Sequence, residues 1–312
     1  MSGARDHGGN LDAAMARFGG ARADWLDLST GINPEPYPLP ALSPADWAAL
    51  PDASAQTALI AAARRFWQVP EGAAVLAVPG ASAAIAQIPR LAPPGRVEIP
   101  QPTYNEHAAA FARHRWQVTP DGPARGLVLV HPNNPTGQLH PAPAPRGLTV
   151  IDESFCDVTP GESHVALCPR PDLLVLKSFG KFWGLAGLRL GFVIGAPGTV
   201  ARLADMLGPW PVSGPALRAG TAALSDPAWA EATRLRLARD AARLDAAMQG
   251  AGAALAGGTA LFRLYEVENA AALQTRLARH RIWSRTFPYS SRWIRLGLPP
   301  AGGWAQLEGA LA

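Results

Sequence analysis

The chain predicts an α/β fold, a mostly parallel central sheet with helices on both faces, plus a smaller α+β domain. Three observations carry this. Short apolar runs alternate with segments of helix-forming composition from residue 54 to residue 195. Several of those runs end in polar turns, the place where α/β folds put ligands: Pro79-Gly80-Ala81-Ser82, Asn133-Asn134-Pro135-Thr136-Gly137 and Asp152-Glu153. From residue 216 the character changes to one long amphipathic helix and a mixed tail. The length of 312 residues is enough for a sizeable core and two domains.

In chain order, LDAAMARF at 11–18 reads as a short helix ended by Gly19-Gly20. WLDLSTGINPEPYP at 25–38 reads as a short strand and a turn rich in asparagine and proline. Residues 54–68 read as a helix with Ser54 or Asp52 as its cap. AVLAV at 74–78 is a strand, followed by a glycine turn and AAIAQIPRL, an arrangement that presents backbone N–H groups to a phosphate. Further strands are expected at 96–100, 116–120, 126–132, 148–155, 172–179 and 188–195, with a helix at 105–114. Residues 228–249 keep a period close to 3.6 and form the long helix. The tail offers strands at 259–267, 282–286 and 292–299, with helices at 270–280 and 304–311.

Composition excludes several classes. Apolar residues make up 48% and charged residues 17%, as in a folded, rather oily protein. The formal charge of +4 comes with no Lys/Arg block and no aromatic–basic alternation, so no nucleic-acid partner is expected. The same positive charge suits a phosphorylated substrate. Cys156 and Cys168 are too few for a disulfide scaffold and lack metal-pair spacing, so no metal site is expected. No run reaches 18 apolar residues, and MSGARDHGGN lacks the apolar core of a secretory signal. The expectation is a cytoplasmic protein with no membrane partner.

The stretch 177–191, KSFGKFWGLAGLRLG, sets two lysines and an arginine among four glycines. Lys181 has Ser178 three residues before it and Arg189 eight after. An amine able to form a Schiff base, with a hydroxyl and a guanidinium for a phosphate, suits pyridoxal phosphate. A basic, glycine-rich turn between strands is the plainer alternative. Asp152 at a strand end is placed to pair with a pyridine nitrogen, or simply to cap its strand. Asn134 offers an amide to a ring substituent, and Tyr104 either stacks on a planar cofactor or lids the core. His7-Gly8-Gly9-Asn10 is able to close on an anion or to be a loose terminus. Asn33 is aimed from a stiff backbone before a proline. Of the late arginines Arg285 and Arg295, Arg295 lies among apolar neighbours and suits an inward clamp on a carboxylate.

NNPTG at 133–137, DESF at 152–155 and SFGKFWGLAGLRLG at 178–191, in this order and separation, resemble the fold-type I pyridoxal-phosphate enzymes. The branch is the one that holds histidinol-phosphate aminotransferase and threonine-phosphate decarboxylase, and the resemblance covers nearly the whole chain. It implies a fold-type I aminotransferase-like α/β architecture. An N-terminal segment at 1–35 would pack with the small domain and active site, a large cofactor-binding domain would span 36–220, and a small domain 221–312. It implies Lys181 as the Schiff-base lysine, Asp152 on the pyridine nitrogen, Asn134 on the phenolic oxygen and Tyr104 stacked on the ring. It further implies Gly80, Ala81, Ser82, Ser178 and Arg189 around the phosphate, Arg295 on the substrate carboxylate, and Asn33 in the N-terminal loop of the site.

Two departures stand out. Phe155 replaces a common tyrosine and cannot donate to the cofactor oxygen, which leaves Asn134 to do so. Leu50-Pro51-Asp52 replaces Tyr-Pro-Asp, so an inter-subunit phosphate contact is missing, although a homodimer remains expected. HGGN at 7–10 and LDLSTGINP at 26–34 resemble the decarboxylases of cobalamin biosynthesis. That likeness implies decarboxylation of L-threonine O-3-phosphate to (R)-1-amino-2-propanol O-2-phosphate and carbon dioxide. The substrate phosphate would meet His7, Gly8, Gly9, Asn10 and Arg285. The alternative is transamination of histidinol phosphate or a related amino acid.

Overall fold

The computed structural model describes residues 7–144 and 146–312. Met1 to Asp6, the start of the expected 1–35 segment, and Pro145 lie outside the described residues. The strands are β1 (Leu26–Asp27), β2 (Ala74–Val78), β3 (Arg96–Glu98), β4 (Gln117–Thr119), β5 (Gly126–Val130), β6 (Thr149–Asp152), β7 (Leu173–Ser178), β8 (Gly191–Gly195), β9 (Ala254–Thr259), β10 (Phe262–Glu266), β11 (Ile282–Trp283), β12 (Arg285–Phe287) and β13 (Ser290–Gly297). The helices are α1 (Leu11–Phe18), α2 (Pro44–Ala48), α3 (Ala53–Phe66), α4 (Ala81–Gln87), α5 (Asn105–Arg113), α6 (Pro197–Leu207), α7 (Gly214–Leu224), α8 (Pro227–Gly250), α9 (Ala270–Arg279) and α10 (Trp304–Leu311).

The described chain forms two compact units. The larger holds Pro36–Asn134 and Gln138–Glu231, and the smaller holds the chain up to Glu35, Pro135–Gly137 and Ala232–Ala312. The division falls after Glu231, inside the unbroken 24-residue helix α8, and not at residue 220. The turn Pro135–Gly137 groups with the smaller unit, where the Thr136 carbonyl accepts the Gly258 N–H at 2.9 Å.

In the larger unit seven strands lie in the order β2-β8-β7-β6-β5-β3-β4. Five neighbours, β7, β6, β5, β3 and β4, run parallel, and β8 is antiparallel to both β7 and β2. Strands buried on both faces need unbroken apolar runs; β5 and β8 are buried at every residue. One face packs Val128, Val150, Leu174, Leu176 and Val193 against Ile85 of α4, Phe111 of α5 and Leu203 of α6. The alternate residues face the other side, where Trp67, at the end of α3, meets Phe192 edge-on at 4.9 Å. On that side Trp183 is fully buried and stacks between Phe179 and Trp229, at 5.1 and 5.4 Å with both pairs of planes 13° apart.

The smaller unit has an antiparallel sheet, β12-β13-β10-β9, and a parallel pair, β1-β11. Leu11 and Ala14 of α1 pack with Trp25 and Ala278 of α9. Two expectations need correction here. The strand read at 259–267 is the β9–β10 hairpin, whose first arm is hidden in sequence by Gly257-Gly258. The strand read at 282–286 divides at Ser284 into β11 and β12, which belong to different sheets. Asp52 is the N-cap residue of α3, without a side-chain capping bond.

Replacing Trp183 by alanine removes the middle ring of the stack and leaves a cavity under the sheet. The expected loss is about 3–5 kcal/mol, read as a lower urea midpoint. An unchanged midpoint would show that this stack does not anchor that face.

Candidate active site

A cavity of about 240 Å³ opens in the larger unit, lined by Ala81, Ser82, Tyr104, Asn134, Asp152, Ser178, Lys181 and Arg189 together with Phe155. Eight of the nine residues expected around the cofactor are thus brought together; the ninth, Gly80, stands just behind. Asp152 and Ser178 end the adjacent parallel strands β6 and β7. They share the face that α4 and α5 cover, so both side chains emerge where those helices begin. The next residue along or back along each chain, Glu153 and Lys177, must then point the opposite way, because a strand alternates with period two.

Asp152 is buried. One carboxylate oxygen lies 2.8 Å from His107 Nε2, and the other accepts the Ser154 hydroxyl at 2.6 Å and the Ser154 N–H at 3.0 Å. Burial alone would raise its pKa, but the bond and charge of His107 and the two Ser154 bonds outweigh burial and lower it. The site therefore keeps a carboxylate inside the protein.

Tyr104 is the N-cap residue of α5, and its ring packs edge-on against His107 at 6.0 Å. Burial, then the charges of Asp152 and Glu106, push its hydroxyl up to about 12, although a hydrogen bond with Ser82 and the Arg189 charge oppose this. It remains a neutral phenol at ordinary pH. Arg189 sits in a left-handed turn at φ 54°, donates to the Ala186 carbonyl at 3.1 Å and stays exposed. Gly80 has φ 81°, and a Cβ there would stand 2.5 Å from Arg189 Nη2. Glycine thus serves by letting the guanidinium approach the start of α4. Ser178 Oγ accepts the Gly180 N–H at 3.2 Å. The Lys181 ammonium lies 5.1 Å from the centre of the Phe155 ring.

Lys177 has a different task. It is buried, with Nζ 2.5 Å from Glu153 and 3.7 Å from Asp157. Burial would lower its pKa; the Glu153 and Asp157 carboxylates overcome this and raise it. Trp67 and Trp183 donate their indole N–H groups to Asp157 at 2.9 and 3.1 Å. Lys177 is not among the residues that line the cavity.

The residues expected on the substrate belong to the smaller unit. Arg285 and Arg295 are a register pair across β12 and β13. Arg295 is buried, donates to the Ser29 carbonyl at 2.6 Å and lies 5.0 Å over the Phe262 ring. Burial, then the Arg285 charge, lowers its pKa to about 10. Ser29 also meets the HGGN segment: its Oγ accepts the Gly9 N–H at 2.6 Å, and its carbonyl leaves no room for a side chain on Gly8. Trp283 donates to the Gly9 carbonyl at 3.0 Å, while His7 is exposed. Asn10 caps α1 through the Ala13 N–H, and Asn33 is buried, with Oδ1 taken by Arg236 at 2.6 Å and by the Glu35 N–H. Both asparagine side chains therefore have structural partners. Among the described residues, no group of three or more His, Cys, Asp or Glu side chains is arranged to hold a metal ion.

Sequence reasoning missed His107 and Ser154, which hold Asp152. His107 stands three residues after Tyr104, on the same face of α5. A polar side chain on the buried face of an otherwise alanine-rich helix was the available signal.

This chain belongs to the aminotransferase class I and II family, whose model matches residues 24–312. Its similarity to a threonine-phosphate decarboxylase from a Sinorhizobium species is 44% identity over 98% of this chain and 97% of that protein. A threonine-phosphate decarboxylase from Pseudomonas aeruginosa is 40% identical over the same shares. The fold is that of histidinol-phosphate aminotransferase from Sinorhizobium meliloti, solved in complex with pyridoxal-5'-phosphate, at a TM-score of 0.79 and 20% identity over 96% of this chain and 92% of that one.

Lys177→Met should leave Glu153 and Asp157 buried without their cation and cost about 3–5 kcal/mol, measured by urea unfolding. Lys181→Met, outside that network, should change stability far less. Equal losses would refute the division of labour between the two lysines.

Proposed function

We propose that this protein catalyses the pyridoxal-phosphate-dependent decarboxylation of L-threonine O-3-phosphate, giving (R)-1-amino-2-propanol O-2-phosphate and carbon dioxide for cobalamin biosynthesis. The observation that carries the reading is the likeness to two threonine-phosphate decarboxylases over 98% of the chain. The cavity supports the cofactor: it combines a buried carboxylate, an amine, a guanidinium, three serine hydroxyls and a phenol, and Gly80 leaves room where the guanidinium approaches α4.

When bound, pyridoxal phosphate supplies a protonated pyridine ring that takes up the electron pair freed from the substrate's Cα–carboxylate bond. Lys181 would provide the amine that holds the cofactor. Asp152 keeps the proton on the ring nitrogen, and His107 keeps Asp152 charged. Ser82, Ser178, Arg189 and the Ala81 N–H bind the phosphate. Asn134 donates to the phenolic oxygen, a task that Phe155 cannot share. Tyr104 would pack against the ring. Arg295 holds the substrate carboxylate, and the HGGN segment with Arg285 and Asn33 receives the rest of the substrate. These anion contacts select which Cα bond is aligned for cleavage. Lys181, or a water that it holds, then returns a proton to Cα.

We further infer a homodimer. Leu50 is exposed and lines a groove between α2, α3 and α7, Leu39, Trp47 and Trp210 are further exposed large apolar residues, and a second copy suits such a surface. Sedimentation that gives a monomer would refute this. No helix among the described residues is long and apolar enough to cross a membrane, and a cytoplasmic location fits the cofactor chemistry.

Incubation with threonine phosphate and cofactor should release carbon dioxide and leave an amino-propanol phosphate. Transfer of the amino group to an oxo acid, without carbon dioxide, would favour a histidinol-phosphate-type aminotransferase instead. Lys181→Ala should abolish the visible absorbance of the lysine-bound cofactor. Arg189→Ala should weaken cofactor affinity roughly ten- to hundredfold, the value of one or more charge-assisted hydrogen bonds, as measured by equilibrium dialysis.

A further inference from the structure

Three histidines, His131, His140 and His164, gather beneath the segment that carries Asn134, and the proposed reaction uses none of them. His131 and His164 have ring centres 4.4 Å apart, and His140 stands 6.4 Å from His131. Both nitrogens of His131 are engaged. Nδ1 lies 2.9 Å from the His140 backbone N–H and accepts from it, so Nδ1 carries no proton. Nε2 lies 2.8 Å from the Glu162 carbonyl, so Nε2 must carry one. The ring is therefore neutral and held in a single tautomer.

These bonds close a loop at its base. The His131 N–H donates to the Asp152 carbonyl at 2.8 Å, and the Asn133 N–H donates to the Gln138 carbonyl at 2.8 Å. His140, at the far end, is gripped twice: by Nδ1 of His131 through its N–H, and by Nε2 of His164 through its carbonyl at 2.9 Å. The His164 N–H rests on Glu153 at 2.5 Å, which ties the clasp to the buried Lys177 ion pair. Asn134 lies between the two ends and lines the cavity.

We propose that His131 is a positioning residue that clasps the two ends of segment 131–140 through its ring nitrogens and so holds Asn134 at the cavity. The role rests on the reading that Asn134 meets the cofactor. It also makes the clasp sensitive to acid. A proton on Nδ1 would set one N–H against another and expel the His140 amide. The charged groups that face His131 are His164, Glu153 and Glu162, with His140 beside them and Lys177 and Asp157 behind Glu153. Burial is the leading influence and lowers the pKa of His131, although Glu162 and Glu153 oppose it. The sign follows. The unfolded chain takes up this proton near pH 6.5 and the folded chain only at lower pH. The stability from His131 is thus complete above about pH 6.5 and is lost as pH falls through the folded value.

The test uses the cofactor-free protein first. Nitrogen-15 NMR near pH 6.5 should find His131 neutral with its proton on Nε2, whereas a free histidine is about half protonated there. His131→Leu should speed exchange of the Asn133 amide about tenfold or more. His131→Asn keeps an acceptor near the Nδ1 position without a titrating group; it should retain slow Asn133 exchange and lose the acid dependence. With cofactor, His131→Leu should weaken binding about tenfold, the worth of one lost hydrogen bond. A charged ring, the Nδ1–H tautomer or unchanged Asn133 exchange in His131→Leu would overturn the proposal. Faster exchange with unchanged cofactor affinity in both His131→Leu and Asn134→Ala would uphold the clasp and refute the placing of Asn134 on the cofactor. Should His131→Leu fail to fold, the wild-type tautomer and the exchange behaviour of His131→Asn decide the matter.

Discussion

The ion pair of Lys177 with Glu153 is the constraint on which the larger unit turns. It lies on one side of the central sheet, sealed from water by Trp67 and Trp183, with Asp157 as a second anion. A buried charge must be matched by partners or its cost falls on the fold. The partners here are one residue away from Ser178 on β7 and from Asp152 on β6. Strand alternation turns that adjacency into opposition: the structural pair points one way and the chemical pair the other. The ends of two parallel strands are thus locked in register from behind, and Asp152 and Ser178 face the cavity.

The same logic extends outward from Asp152. A buried carboxylate remains charged only where donors surround it, and His107 and Ser154 supply them. Arg189 and the helix start at Ala81 gather at the other side of the cavity, made possible by a glycine that keeps its Cβ out of the way. Charge of each sign is therefore built into the walls before any ligand arrives, which is how a site avoids reorganising during a reaction.

Much of this was legible in the sequence. The inner strands β5 to β8 announced themselves as apolar runs, since burial on both faces leaves little choice of residue. Lys181 was distinguished from Lys177 by its distances to Ser178 and Arg189, and burial of Lys177 explains the distinction. Other features left weaker marks. The β9 arm was hidden because Gly257-Gly258, needed where the Thr136 turn comes close, reads as a loop. The 3.6-residue period of α8 was plain, but nothing in that period marks where one unit ends along a continuous helix. His107 was overlooked because a single histidine in a helix does not reveal its partner 45 residues away. Asn10 also caps a helix and Asn33 also receives Arg236, partners that a lone asparagine in a turn does not reveal.

The pairing of Arg285 with Arg295 has a consequence for the life of the protein between reactions. Two guanidinium groups in register repel one another, and the fold tolerates this because the surrounding sheet and the Ser29 carbonyl hold Arg295 in place. An anion placed between two such groups would turn that repulsion into attraction, so occupancy and rigidity of this sheet would rise together.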